Sequence, residues 1–463
     1  MPVMDLSPSE LKRSLRTGRI TVAVYGVGHV GASILAAWLL AGARGIGVDR
    51  DESKIEALSE GESPVEEPCL SEIFRKAKLE GRLYATSDGR EASAKSDVKI
   101  IAVPSIVVDG EPDLSAITSV AESIASGLKR GDLVILESSV PPGTTRYLLK
   151  PILEEGSGLS LGEFGLAYSP ERISEGRALR DIIESYPKII GGVDERSGEV
   201  ASILYSVISK RGVIRVSNEL VAEFEKLAEG VYRDVNIALA NELAILCRKL
   251  GIDYEEVARA ANSQPYSNLH RPGTGVGGLC IPIYPKFLIW KAKSVGFELS
   301  LISTARKINE FMPKEVAELV REGVSRLGLR DPKIAVLGLS FRGDIGDPRL
   351  SPTYELVKEL LSMGFRDLVV QDPFIREDER LSSMGVRLVN DIEEILGANV
   401  IVISTDHSVY RMSVSELFSM SEEIKLIVDG RDLMEVDYIP AGRAYVGVGR
   451  PWKSGNPPQD LSK

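Results

Sequence analysis

Cysteine and histidine are scarce, with three of each among 463 residues. Three cysteines cannot build a disulfide framework in a chain of this length. The composition therefore fits a reducing cytoplasm, where a cysteine in an unusual setting is a candidate for reactivity rather than cross-linking. His29, His270 and His407 are too few and too scattered for a histidine-built metal site, and no metal is expected. Basic residues are also in deficit: 56 Lys plus Arg against 67 Asp plus Glu give a net charge of -11. A nucleic-acid partner would call for the opposite bias. No uninterrupted apolar run reaches the roughly 18 residues of a membrane span, and Met1 to Gly18 is too polar for a secretory signal. Neither nucleic acid nor membrane is expected as a partner. What is present is ordinary for a soluble globular protein, with 43% hydrophobic and 27% charged residues. At roughly 150 residues per domain, the length suggests about three domains.

The pattern along the chain gives that number a layout. Ile20 to Tyr25, Gly45 to Val48, Val98 to Val103, Leu133 to Leu136 and Gly165 to Tyr168 read as short buried strands. Helical stretches such as Ser115 to Leu128 lie between them, which implies a parallel sheet covered on both faces. From Asn218 to Leu250, apolar residues at 220, 224, 227, 231, 235, 239, 243, 246 and 250 mark one face of a helix of about nine turns. So long a face points to a connector and a homodimer core. A second helix is expected over about 298–327. The α/β pattern then returns, with strands near 333–337, 367–370, 399–403 and 425–428. The fold class is therefore α/β: two Rossmann-like, doubly wound parallel-sheet domains joined by a long central helix and a helical middle domain. The expected bounds are 1–215, 216–328 and 329–450, with a fraying Pro- and Gly-rich tail over 451–463.

The first strand runs into Gly26, Val27, Gly28, His29, Val30 and Gly31, and an apolar helix follows. G-x-G-x-x-G is a weak signal alone, but here it lies between strand and helix, with Asp49 at the end of the next strand. Gly26 permits the tight turn, Gly28 lets the backbone approach a pyrophosphate, and Gly31 allows close helix–strand packing. The helix N-terminus offers N–H groups to phosphate. Asp49 would accept from the adenosine ribose hydroxyls and repel a 2′-phosphate, so NAD is favoured over NADP, although Arg50 beside it could tolerate the extra phosphate.

Arg271-Pro-Gly-Thr-Gly-Val-Gly-Gly-Leu-Cys280 is the most unusual passage. Glycines 273, 275, 277 and 278 suit neither helix nor strand, and close backbone approach to a ligand would explain them. Cys280, which closes the loop, is the nucleophile candidate. Cys247 sits in the long helix and reads as a core residue.

Taken together, these passages resemble the UDP-glucose/GDP-mannose dehydrogenase family over nearly the whole chain. The matching motifs are Gly26 to Gly31, Val103-Pro104-Ser105, Glu137 to Thr145, Tyr168-Ser-Pro-Glu171-Arg172-Ile173, and Glu225-Lys226-Leu-Ala228. They continue in family order with Tyr232 to Ile237, the cysteine loop, Gly338-Leu-Ser-Phe341-Arg342, Asp347 to Pro352, Thr405-Asp-His407 and Val428 to Arg431. The resemblance implies two successive hydride transfers to NAD, which turn a nucleotide sugar's primary alcohol into a carboxylate through a thiohemiacetal and a thioester on Cys280. It implies that Lys226 stabilises oxyanion charge and that Glu171 serves the hydrolytic water. Ser139, where the family usually has threonine, could reach that water or the nicotinamide. Pro104, Ser105, Lys54 and Arg349 match cofactor-side positions, and delivery across a subunit boundary is one option for Arg349. Tyr168, Arg172, Arg271, Gly275, Gly277, Phe341 and Arg342 match substrate-side positions.

Three positions depart from the family. Gly230 stands where an asparagine usually follows the lysine by one turn, Tyr284 stands where an aspartate follows the cysteine, and Leu279 replaces a common histidine or aromatic. A phenol, with pKa near 10, cannot replace a carboxylate base at neutral pH. Losing a transition-state donor costs about 10²–10³ in rate. Either an active dehydrogenase or a weakened paralogue that binds NAD and sugar nucleotide is therefore compatible with these residues. The loop wording is most similar to the UDP-N-acetylmannosamine and N-acetylglucosamine branch, with UDP-glucose and GDP-mannose as alternatives.

Overall fold

In the computed structural model, which describes residues 1–455, the chain divides into two compact units. The first holds Met1–Glu229 and Lys286–Phe297, and the second holds Gly230–Pro285 and the residues from Glu298 onward. The helical middle expected over 216–328 is therefore shared between the two units. The long helix runs unbroken over Glu219–Leu250, and the division falls inside it.

The first unit is built on ten strands: β1 (Thr21–Tyr25), β2 (Arg44–Val48), β3 (Leu83–Thr86), β4 (Val98–Ile101), β5 (Ile106–Val108), β6 (Glu111–Asp113), β7 (Leu133–Leu136), β8 (Gly165–Tyr168), β9 (Lys188–Gly192) and β10 (Val213–Arg215). Eight of them form one sheet in the order β10-β9-β8-β7-β4-β1-β2-β3, while β5 and β6 make a separate hairpin. The strands pair in parallel, Val22 opposite Gly45 and Val98 for example, except for the antiparallel β8–β9 pair. That pair departs from the all-parallel expectation. The sheet order reverses between β1 and β4, and the crevice at such a switch point, outside the carboxyl ends of the strands, is where α/β folds bind ligands. Gly26 follows β1, and Pro104 and Ser105 follow β4, so both motifs lie at this crevice. The helix His29–Leu40 is apolar on nearly every side and buried throughout Gly31–Leu39, as that composition requires.

The second unit repeats the plan with β11 (Ile334–Leu337), β12 (Leu368–Gln371), β13 (Arg387–Val389), β14 (Val400–Ile403), β15 (Leu426–Asp429), β16 (Ala444–Gly447) and β17 (Lys453–Ser454), ordered β13-β12-β11-β14-β15-β16-β17. Its switch point lies between β11 and β14. The expected tail begins otherwise: Lys453 and Ser454 pair antiparallel with Tyr445 and Ala444, and Trp452 packs on the core. The rest of that segment, 456–463, lies outside the described residues.

The long helix buries only part of its apolar stripe within the chain. Its apolar positions 220, 224, 239, 246 and 250 are exposed, whereas Glu223, Lys226, Asp234 and Asn241 are buried. These polar groups share the buried face with Ala222, Leu227, Val231, Ala238, Ala240, Ala244 and Cys247.

Candidate active site

The expected cofactor-side positions belong to the first unit, except Arg349, which lies in the second. Gly26 has φ 88°, and a Cβ there would stand 2.8 Å from the Ala102 carbonyl oxygen. A Cβ on Gly31 would fall 1.7 Å from the Gly26 oxygen. Both positions therefore exclude any larger residue. A Cβ on Gly28, by contrast, would meet no described atom within 4 Å. This glycine leaves space at the start of helix His29–Leu40, where a pyrophosphate fits against free N–H groups. Asp49 Oδ2 accepts from Val27 N at 2.9 Å, Oδ1 accepts from Asp51 N at 3.1 Å, and the Lys54 ammonium lies 3.5 Å from Oδ2. The acid, loop and lysine predicted for the adenosine end are thus brought together. His29 turns to Glu67, with Nδ1 at 3.9 Å from its carboxylate. The Val103-Pro104-Ser105 loop is tied to the next strand end: the Ser138 hydroxyl donates to the Val103 oxygen at 2.7 Å, and the Ser105 hydroxyl donates to the Ser139 oxygen. These residues fit NAD.

The same unit holds Ser139, Tyr168, Glu171, Arg172 and Lys226. Lys226 and Glu171 are both buried, and the lysine ammonium donates to the Glu171 carbonyl oxygen. The Glu171 carboxylate accepts from Arg172 N at 2.8 Å and from Lys188 Nζ at 2.6 Å. Arg172 reaches Glu229 at 2.8 Å and Glu225 at 3.6 Å. Burial, then the neighbouring Glu229, pushes the Glu225 carboxyl up to about 7. Glu223, three residues before Lys226, accepts from Gly143 N at 2.5 Å, Thr145 N at 2.8 Å and the Thr145 hydroxyl at 2.6 Å. It thereby locks the lysine's helix to the turn after Ser139, and its burial pushes it up to about 7 despite those bonds.

The second unit carries the cysteine. Cys280 is exposed, and its carbonyl accepts from Ile283 N at 3.1 Å and Tyr284 N at 3.0 Å, which opens the turn into helix Tyr284–Ser294. The loop before it is anchored by a buried chain of amides. Gly273 N donates to Asn241 Oδ1 at 2.8 Å, Asn241 donates to Asn309 at 2.9 Å, and Asn309 donates to Asp234 at 2.8 Å. The loop glycines have a reason the sequence did not show, because each packs against protein. A Cβ on Gly273 would lie 2.6 Å from the Arg431 guanidinium, one on Gly275 2.8 Å from Pro352, one on Gly277 2.7 Å from Phe341, and one on Gly278 2.8 Å from the Phe341 ring. Gly278 N also donates to the Arg349 carbonyl at 3.0 Å. Arg271, Arg342 and Arg349 are exposed, and Arg349 pairs with Asp347 at 2.8 Å.

Two of the departures prove to be a single feature. A Cβ on Gly230 would stand 2.3 Å from Tyr284 Cδ2, and Tyr284 is buried. The ring occupies the place that a side chain at 230 would take, so any larger residue at 230 must displace it.

Sequence reasoning passed over Lys188, Glu223, Asn241 and Asn309. Lys188 had one visible signal, a cation opening the apolar run of a strand. The other three give no local pattern, because their partners lie 32 to 80 residues away. Among the described residues, no group of three or more His, Cys, Asp or Glu could hold a metal, and no helix is long and apolar enough to cross a membrane.

Comparison with known proteins agrees with this geometry. Models of the UDP-glucose/GDP-mannose dehydrogenase family match in three parts: the NAD binding domain over residues 20–209, the central domain over 220–311 and the UDP binding domain over 335–436. A UDP-N-acetyl-D-mannosamine dehydrogenase of Pyrococcus horikoshii is 34% identical over 93% of this chain and 99% of its own. An NDP-N-acetyl-D-galactosaminuronic acid dehydrogenase of Ralstonia solanacearum is also 34% identical, over 93% and 100%. The solved structure of the UDP-D-ManNAc dehydrogenase from Pyrococcus horikoshii superposes with a TM-score of 0.84 at 33% identity, covering 93% of this chain and 99% of that one. The chain therefore belongs to the UDP-glucose/GDP-mannose dehydrogenase family, with NAD as its cofactor and a nucleotide sugar as its substrate.

Proposed function

We propose that the substrate is UDP-N-acetylmannosamine, and that its C6 alcohol is oxidised to the uronate with Cys280, Lys226, Glu171 and Ser139 as the reacting side chains. The observation that carries this reading is the exposed Cys280, held at a helix-opening turn by a loop whose backbone is bonded into the amide chain. NAD supplies the oxidant when bound, with two molecules in succession each accepting one hydride. The Cys280 thiolate adds to the aldehyde left by the first transfer, so the aldehyde cannot escape. The second transfer leaves a thioester, and water then releases the acid. The Lys226 ammonium, buried and compact, suits an oxyanion. Glu171 takes the proton from water. Arg342 and Phe341 serve the nucleotide, and Arg271, Gly275 and Gly277 serve the substrate side. Arg349 serves the nicotinamide end.

Incubation with NAD and UDP-N-acetylmannosamine, UDP-N-acetylglucosamine, UDP-glucose or GDP-mannose tests this reading. Two NADH per uronate, fastest with the first, is the expected result, and a better rate with UDP-glucose or GDP-mannose would reassign the substrate. A second reading, a paralogue that binds both ligands without efficient turnover, is favoured by the Gly230–Tyr284 couple. Tight binding of both ligands without NADH would select it.

We further propose a homodimer built on the long helix. Tyr232, Leu239, Leu246 and Leu250 are 42 to 65% exposed along it, a stripe that a partner would cover. Light scattering at low concentration should give twice the chain mass. The reaction is placed in the cytoplasm, where NAD and sugar nucleotides are available.

A further inference from the structure

The Ser-Pro-Glu-Arg segment and strand β9 meet at a buried array inside the first unit. Lys188 Nζ donates to Glu171 Oε2 at 2.6 Å and to Glu137 Oε2 at 2.7 Å. The Tyr205 hydroxyl donates to the other oxygen of Glu137. Tyr205 is itself held edge-on against Trp38, with ring centroids 5.3 Å apart, and the Lys188 ammonium lies 5.0 Å from its ring centre. Lys188, Glu137 and Glu171 are only 6%, 3% and 7% exposed. Two carboxylates buried on one ammonium form an expensive arrangement that apolar side chains could often replace without loss of stability. Burial works against the charge on Lys188, but the two carboxylates outweigh it and raise its hold on the proton.

We propose that Lys188 is a positioning residue for Glu171, fixing its carboxylate so that one oxygen stays aimed at the water that hydrolyses the thioester. This rests on the reading of Glu171 as the base for that water. Oε2 is taken by the ammonium. Oε1 accepts one backbone N–H from Arg172 and keeps a second lone pair for water. Lys226 holds the carbonyl of the same residue, so main chain and side chain are pinned by two separate ammonium groups. In the step itself, the water oxygen bonds to the acyl carbon and its proton passes to Glu171. The carbon–sulfur bond breaks, its electron pair leaves with the Cys280 sulfur, and the thiolate then takes up the proton. Thioester and water become carboxylic acid and thiol, with no net oxidation. Glu137 holds the far side of the ammonium and shares its charge.

The experiment mixes Lys188→Met with NAD and UDP-N-acetylmannosamine, follows NADH on the millisecond scale, and weighs the acid-quenched protein. Both hydride transfers precede hydrolysis. The variant should keep a burst of two NADH per active site, while its steady-state rate falls by about 10²-fold, the usual cost of a misplaced group. The quenched protein should gain the mass of the acyl group on Cys280, and Lys188→Arg should fall between Met and wild type. The double variant Glu137→Gln/Lys188→Met removes one charge of each sign. It should show the same accumulation even if the single change weakens folding. A burst that falls in step with the steady-state rate, or a quenched protein without the added mass, overturns the proposal. Wild-type protein that binds the sugar nucleotide yet yields no NADH overturns the reading of the reaction instead, and the proposal with it.

Discussion

The two sheets begin with the same backbone device and use it differently. In each, the first strand ends at a glycine with positive φ, 88° at Gly26 and 96° at Gly338. Each glycine N–H donates at 2.7 Å to the residue closing the second strand, Val48 or Gln371. In each, the next residue is an aspartate that accepts from the loop: Asp49 from Val27 N at 2.9 Å, and Asp372 from Leu339 N and Ser340 N at 2.8 Å. After Gly26 a helix starts at His29. After Gly338 the chain runs as a loop to Pro352. Asp372 is fully buried, and it also holds the Ser340 hydroxyl at 3.0 Å and His407 at 3.2 Å. Asp49 remains half-buried beside Lys54. One acid is left available to a ligand, and the other is consumed in shaping a loop. A Rossmann-like sheet therefore does not by itself make a dinucleotide site.

Glycine substitutions should break this comparison most severely. Gly338→Ala places a Cβ 2.2 Å from that of Thr405 at a left-handed position, and Gly31→Ala drives one into the Gly26 carbonyl. Each should cost about 3 kcal/mol or more, read as a lowered urea midpoint. Asp372→Asn comes next, with an expected loss of about 2–4 kcal/mol because a buried acceptor of several bonds is weakened. Asp49→Asn should leave stability within about 1 kcal/mol of wild type, raise the KM for NAD and narrow the preference over NADP. Equal stability losses for the two aspartate variants would erase the distinction between them.

The pH dependence follows from Asp372 as well. Burial raises its carboxyl, but the bonds from His407 and the loop N–H groups outweigh this and hold it below the usual aspartate value. A depressed folded-state pKa contributes stability that is present above the unfolded value, about 4. That stability is lost as pH falls through the depressed value. Between pH 5 and 2, wild type should lose more stability than Asp372→Asn, as followed by denaturant unfolding. Gly28→Ala should have the smallest effect on folding, since its Cβ meets open space. The urea midpoint should hold while NAD affinity falls about tenfold, an effect expected of close phosphate approach. Unchanged affinity would remove Gly28 from the cofactor site.

The departures at 230 and 284 admit a similar test. Gly230→Ala should destabilise by about 1–3 kcal/mol through overpacking on Tyr284. In a Tyr284→Ala background the same change should cost much less, and additive losses would show that the two sites are uncoupled.

Much of the site was legible because its signals are local. The fingerprint from Gly26 to Gly31, the acid at Asp49 and the cysteine at the loop end are read from spacing alone. Strands β1, β2, β7 and β8 follow from short apolar runs, and the structure places them within a residue of expectation. The long helix was legible in extent, but its buried polar groups were not. Periodicity marked its apolar stripe as a dimer core, and Leu239, Leu246 and Leu250 on that stripe are exposed within the chain, but it gave no sign that Glu223, Lys226, Asp234 and Asn241 are buried. A moment calculated from side-chain polarity cannot foresee polar groups that find buried partners far along the chain. The packing of the glycine loop was not legible for the same reason, because the surfaces that exclude a Cβ come from Phe341, Pro352 and Arg431.

By itself, the sequence determined the α/β class and the NAD fingerprint and singled out Cys280 as the candidate nucleophile, since each rests on residues adjacent in the chain or spaced by one βαβ unit. Only the tertiary structure decided that Lys188 holds Glu171, that Gly230 and Tyr284 are one change, and that Asp372 is spent where Asp49 is not. Those outcomes depend on burial and on contacts between distant segments, where a few tenths of an ångström decide whether a side chain fits and whether a charge is paired.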